Sequence, residues 1–159
     1  MTDSNLILTD IMDLLNTQPL EYSIEFSDKD QVLEKQCDDL YRLGYTVSIF
    51  YHHDIKEREA MSSTAFGNVA IPHILTKSVK KSFISIVISK KPIKWDVHEV
   101  YIVAMIGIHE DSRKIFSEIF ETLIDILSNP SNIKKLTNSD NFKDFISQVR
   151  YYIDLGCEG

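Results

Sequence analysis

The run VYIVAMIGI, Val100–Ile108, contains no charged residue. A strand with one face in water alternates apolar and polar side chains. An unbroken apolar run of this length instead needs cover on both faces, as a central strand in a layered domain has. Just upstream, SFISIVIS alternates and places Ile84, Ile86 and Ile88 on one face of a second strand. Between them KKPIKWD reads as the turn. Near the front, YSIEF alternates well enough for another strand, and the preceding IMDLLNTQPL is compatible with a small helix.

Helical periodicity surrounds these strands. In SDKDQVLEKQCDDLYRLGY, Leu33, Cys37, Leu40 and Tyr41 share a face. Ser27 is positioned as N-cap with Asp30 three residues on, and Gly44 as the stop. Cys37 is thus a core residue, not a nucleophile. SIFYHHDIKERE predicts a second helix, in which Arg58 extends the Tyr51–Ile55 stripe at i+7. A guanidinium there either meets an anion or reaches out to water. DSRKIFSEIFETLIDILSNP is the strongest helix, with Phe116, Ile119, Phe120, Leu123 and Leu127 in one stripe and Asn129-Pro130 at its end. NFKDFISQVRYYIDL closes the chain as an amphipathic helix. Strands and helices interleave, which predicts a three-layer α/β sandwich. With no repeat or linker, residues 1–159 read as one domain with its core at about 22–150.

Composition narrows the function. A net charge of −7 and short, scattered lysine pairs (Lys80-Lys81, Lys90-Lys91, Lys134-Lys135) offer no groove for a nucleic-acid backbone. An acidic chain is better suited to a basic protein surface. No apolar run approaches the roughly 20 residues of a membrane span. The start carries acids and no basic cluster, unlike a secretory signal. Two cysteines, Cys37 and Cys157, lack metal or disulfide spacing, so a reducing cytoplasm is the expected setting. No P-loop, G-x-S-x-G or H-E-x-x-H occurs. His52 and His53 are adjacent on a helix, so their rings diverge by about 100° and share no metal easily. His98 falls in a turn and His109 at a strand end, without partners at ligand spacing. Asp38-Asp39 and Glu57–Glu59 read as solvated helix faces. No metal and no cofactor are expected.

One stretch carries chemistry: SSTAFGNVAIPH, Ser62–His73. Pro72 has a fixed φ and no N–H, so it should end strand pairing and release His73 into a loop at the sheet margin. Gly67 and Asn68 can adopt turn conformations that expose amides to an anion. Ser62, Ser63 and Thr64 offer hydroxyls, and Arg58 is close upstream. A histidine uncharged near neutral pH has a ring lone pair for attack on phosphorus, and its N–P bond is labile. Phosphoryl transfer then needs chiefly positioning and charge compensation. On the residues alone, an ordinary turn ending in a loop histidine fits equally well.

REAMSSTAFGNVAIPH followed by KKSFISIVISKKPIKWD resembles the fructose/mannitol-type (type 2) enzyme IIA domain of the bacterial phosphoenolpyruvate-dependent sugar phosphotransferase system (PTS). The similarity runs from about Ser27 to Ile146. It implies a mixed β-sheet flanked by helices on both faces, with His73 as phosphoacceptor after Pro72. Arg58 and Glu59 would form the family's Arg-Glu pair, and Ser63, Thr64, Gly67 and Asn68 its hydroxyl-glycine turn. It implies the basic carrier HPr as phosphate donor and a IIB component as the usual acceptor. Transport-type members carry a second histidine that would fall near Phe116, where this chain has none. SSTAFGN and the helix after it look closer to the IIA-like domains ending antiterminator-type transcription regulators with PTS-regulation domains. The expectation is a sugar-responsive regulatory module phosphorylated by HPr; the alternative is a transport enzyme IIA, a phosphotransferase relaying phosphate to IIB.

Overall fold

A computed structural model describes residues 20–21, 28–47, 50–74, 77–109, 113–138, 144 and 147–152. The front segment, YSIEF, the Ser27 cap and Cys157 lie outside these residues. Two antiparallel strands form the backbone of the sheet, β4 (Phe83–Trp95) and β5 (His98–Gly107). β1 (Leu20–Glu21) pairs parallel to β4 on one side. On the other side β3 (Val69–Ala70) runs parallel to β5, and β2 (Ala65–Phe66) lies antiparallel at the edge. The order is β1-β4-β5-β3-β2, a mixed sheet.

Both faces of β5 are covered, as its unbroken apolar run requires. Ile102, Ala104, Ile106 and Ile108 pack with Ile84, Ile86 and Ile88 against helices α3 (Arg113–Leu127) and α4 (Pro130–Thr137). Residues 147–152 are helical, and Val149 joins this layer. The opposite face, with Phe83, Val87, Val103 and Met105, packs against α1 (Lys29–Arg42) and α2 (Phe50–Met61). The result is the three-layer α/β arrangement.

Several local expectations change. KKPIKW is strand, not turn: β4 continues to Trp95, and the reversal is the two residues Asp96-Val97, with Asp96 at φ +56°. His98 accordingly opens β5 opposite Trp95 instead of sitting in a turn. The pairing register shifts between Ile88 and Ile93, which rotates the far hairpin. Val100, two residues from Ile102, would share its face in a regular strand, yet it packs in the α1/α2 layer with Ile93 and Trp95.

Helix α1 is capped by Asp28, whose carboxylate accepts from the Gln31 amide at 3.1 Å. It ends in a Schellman turn: Gly44 has φ +85°, the Tyr45 amide reaches the Leu40 carbonyl and the Gly44 amide that of Tyr41. Tyr41 is exposed rather than part of the stripe, and buried Gln36 instead donates to the Ser85 carbonyl at 3.1 Å, tying α1 to β4. Asp39 is not solvated either; it is buried and paired with Lys35 and Arg42.

The tightest approach is at Gly107. A Cβ there would stand 2.1 Å from the buried Phe83 ring. Gly107→Ala should destabilise the protein by about 2–3 kcal/mol, lowering Tm by roughly 5–10 °C. Differential scanning calorimetry checks this, and a smaller ring-free residue at 83 should recover part of the loss.

Candidate functional site

The chain leaves β3 at Ala70 and keeps its parallel course along β5. Val69 stands opposite Ile102 and Ala70 opposite Val103; three residues on, His73 bridges to Ile106 in the same register. Pro72 therefore does not end the pairing. Its missing N–H is not needed, because its carbonyl accepts the Ile106 amide at 2.9 Å. The ladder, not a free loop, aims His73. It sits at the carboxyl ends of the parallel pair β3/β5, the usual place for a site in such sheets.

The His73 ring is half-buried, with Nδ1 2.7 Å from the Ile71 carbonyl oxygen. A carbonyl can only accept, so Nδ1 carries the proton and Nε2 keeps its lone pair, without a partner among the described residues. On one side stand Phe120 and Phe116 of α3, with ring centroids 4.9 and 5.6 Å away. The two phenyl rings stack on each other at 5.7 Å. From α2, Arg58 and Glu59 act on the imidazole electrostatically. Burial lowers the His73 pKa from its ordinary 6.5, and the Arg58 charge adds to this; the Ile71 carbonyl and Glu59 oppose it. The ring is thus neutral near pH 7, with a defined nucleophilic nitrogen.

Arg58 is half-buried in the last turn of α2, and Nη1 donates to the Ser62 carbonyl at 2.9 Å. It neither lies in the core nor runs free into water; it caps its own helix, and its charge reaches His73. Glu59 is the larger surprise. Instead of facing solvent it is 2% exposed and accepts the Thr64 amide at 3.1 Å, the Thr64 hydroxyl and the Trp95 indole N–H at 3.2 Å. Thr64 is thereby committed to Glu59. Ser63 is exposed, and its hydroxyl accepts the Ala65 amide.

Gly67 and Asn68 are not brought to His73. They form the β2–β3 turn, with Gly67 at φ +55°. Asn68 bonds to Glu99 and Tyr101 near the start of β5, whereas His73 pairs with Ile106. At about 3.3 Å per residue the turn lies roughly 16 Å back along the strand. His52 is half-buried, not a plain surface residue, while His53 is exposed against Glu57 at 3.3 Å. Among the described residues no group of three or more His, Cys, Asp or Glu could hold a metal. Cys37 is buried, which pushes its thiol up to about 12.

A sequence model described as "Phosphoenolpyruvate-dependent sugar phosphotransferase system, EIIA 2" matches residues 13–151. The chain belongs to this EIIA type 2 family. It is 30% identical over 122 residues to the transcriptional regulator ManR of Bacillus subtilis, covering 76% of this chain and 19% of that protein. It is 32% identical over 123 residues to multiphosphoryl transfer protein 1 of Escherichia coli, covering 72% and 15%. The chain thus spans less than a fifth of these relatives' lengths. In fold it superposes on the nitrogen regulatory protein IIA-Ntr of Neisseria meningitidis with a TM-score of 0.75 at 19% identity, covering 85% of this chain and 97% of that one. No helix among the described residues is long and apolar enough to cross a membrane.

Within this EIIA frame the position expected to hold a second histidine in transport-type members, Phe116, does lie beside His73, as an aromatic ring. Sequence reading missed Trp95 and Phe120 as neighbours of the site; nothing local marks them, since both look like core residues.

NMR titration of His73 should give an apparent pKa below 6.5 and the Nδ1–H tautomer at neutral pH; Arg58→Gln should move that pKa up. Because the folded ring takes up its proton less readily, the unfolded chain binds more protons in this window. Stability is full above 6.5 and declines as pH falls from there through the lowered folded value. Urea unfolding between pH 5 and 7 checks the sign.

Proposed function

We propose that His73 accepts a phosphoryl group from HPr, and that the domain serves as a sugar-responsive regulatory module of a transcription regulator. The observation that carries the first part is the imidazole with Nδ1 tied to the Ile71 carbonyl and Nε2 without a partner among the described residues. Nε2 attacks phosphorus; the N–P bond forms as the bond from phosphorus to its HPr leaving atom breaks, and that atom keeps the electron pair. The Nδ1 proton stays in place, and the Ile71 carbonyl stabilises the positive charge then shared by the ring. The Arg58 guanidinium exchanges the Ser62 carbonyl for phosphoryl oxygens as charge builds on them. Thr64 and Glu59 support the loop, with Ser63 and Pro72 shaping the approach; the remote Gly67-Asn68 turn takes no part.

The second part rests on Phe116. An imidazole there would help polarise the phosphoryl group for onward transfer, and a phenyl ring has no polar atom to do so. The likeness to ManR supports the same reading. The competing reading, relay to a IIB component, finds support in the likeness to the multiphosphoryl transfer protein.

Incubation with phosphoenolpyruvate, enzyme I and HPr should yield one acid-labile phosphoryl adduct by intact mass, absent in His73→Ala. No adduct on the unchanged chain rejects the proposal. Arg58→Ala should slow phosphorylation about tenfold or more, since a charge-assisted contact is worth roughly 1.5–3 kcal/mol. Mixing the phosphorylated chain with IIB proteins should leave most of the phosphate in place, and Phe116→His should speed its discharge. Rapid discharge of the unchanged chain favours the relay.

A further inference from the structure

Glu59 presents an unusual problem for a buried carboxylate. It is 2% exposed, and no cation among the described residues is paired with it. A charge removed from water is tolerable only when its oxygens are filled by other donors. Three uncharged donors do this: the Thr64 amide, the Thr64 hydroxyl and the Trp95 indole N–H. Two come from the residue that leads into β2. The third comes from the last residue of β4, which is fully buried and reaches this layer beyond the register shift between Ile88 and Ile93. One carboxylate therefore clamps together the end of α2, the loop Ser62–Thr64 and the far end of β4.

Arg58 precedes Glu59 in the same helical turn and bonds to the Ser62 carbonyl within the clamped loop. Pinning Glu59 fixes the rotation of that turn about the α2 axis, and with it the place of the guanidinium beside His73. We propose that Trp95 is a positioning residue of the His73 site, acting through Glu59 to hold Arg58 and the Ser62–Thr64 loop in place. This rests on the reading of His73 as a phosphoacceptor. Trp95 touches neither the imidazole nor any group it would receive. It acts by donating one of the three hydrogen bonds that hold the Glu59 carboxylate in place.

The test compares Trp95→Phe, which keeps an aromatic filler but removes the N–H, with Thr64→Val, which removes the hydroxyl, and with the double variant. Rates of His73 phosphorylation by HPr are measured per folded molecule. Each single change should slow the reaction about tenfold, the worth of one hydrogen bond to a charged group. The double variant should be little slower than the worse single one, because both changes act on one carboxylate. A purely structural Trp95 would lower Tm without this shared loss. Wild-type rates in Trp95→Phe, or a double variant slowed by the product of the two factors, overturn the proposal.

A second readout does not depend on HPr. Among the described residues, the charged groups acting on the imidazole are Arg58 and Glu59, and α3 places Phe116 and Phe120 beside it. Glu59→Gln should lower the NMR-measured pKa of His73, and Trp95→Phe should also displace it. If the unchanged chain takes no phosphoryl group, the phosphoacceptor reading fails, and an unmoved His73 titration in Trp95→Phe then overturns the positioning role separately. Should Trp95→Phe not fold, Glu59→Gln and Thr64→Val carry the same comparison of rates, with multiplicative loss as the overturning result.

Discussion

The bond from His73 Nδ1 to the Ile71 carbonyl, 2.7 Å long, fixes the orientation of the candidate site's imidazole, and it exists because a parallel ladder holds the backbone straight through a proline. Val69, Ala70 and His73 keep one register against β5, and the Pro72 carbonyl takes the Ile106 amide. With that backbone fixed, the imidazole turns back on the carbonyl two residues earlier. One nitrogen is spent on the carbonyl, the other is left with its lone pair, and the tautomer is set. A loop histidine would sample both tautomers and many orientations, and would have to be ordered at each reaction.

Around that fixed ring the sheet brings together two layers of different character. On the α3 side the described neighbours are two stacked phenyl rings, and burial lowers the pKa of the imidazole. The α2 side is polar and carries a guanidinium whose partner, the Ser62 carbonyl, is an uncharged acceptor. Under the proposed role of His73, neutral ring and cation would serve the same end, since both favour attack on an anionic phosphoryl group. The buried carboxylate of Glu59 moderates that field and braces the elements that create it.

The sequence made the three-layer domain legible because burial on both faces of one strand leaves few alternatives. The unbroken run Val100–Ile108 and the alternation at Ile84, Ile86 and Ile88 both took the faces expected of them. Errors gathered where long-range pairing overrides local chemistry. KKPIKW looks like a turn by composition, yet as the edge of a long hairpin it stays extended, with Ile93 and Trp95 buried on one face. Glu59 and Asp39 look solvated because carboxylates usually are; each is buried because donors arrive from elsewhere in the fold or along the helix. Gly67 and Asn68 are close to His73 in the chain but at the other end of the hairpin in space.

What the sequence by itself determined is the layering and the candidate residue within it, because a histidine after a proline at the end of an apolar run, and apolar periodicity, are local properties. Only the tertiary structure decided which nitrogen is free, which aromatic rings flank it and which buried carboxylate is braced by Trp95. Those depend on side chains from β4, α2 and α3 meeting at one end of the sheet. Such a meeting is set by strand register and layer packing, for which no short stretch of chain holds the information.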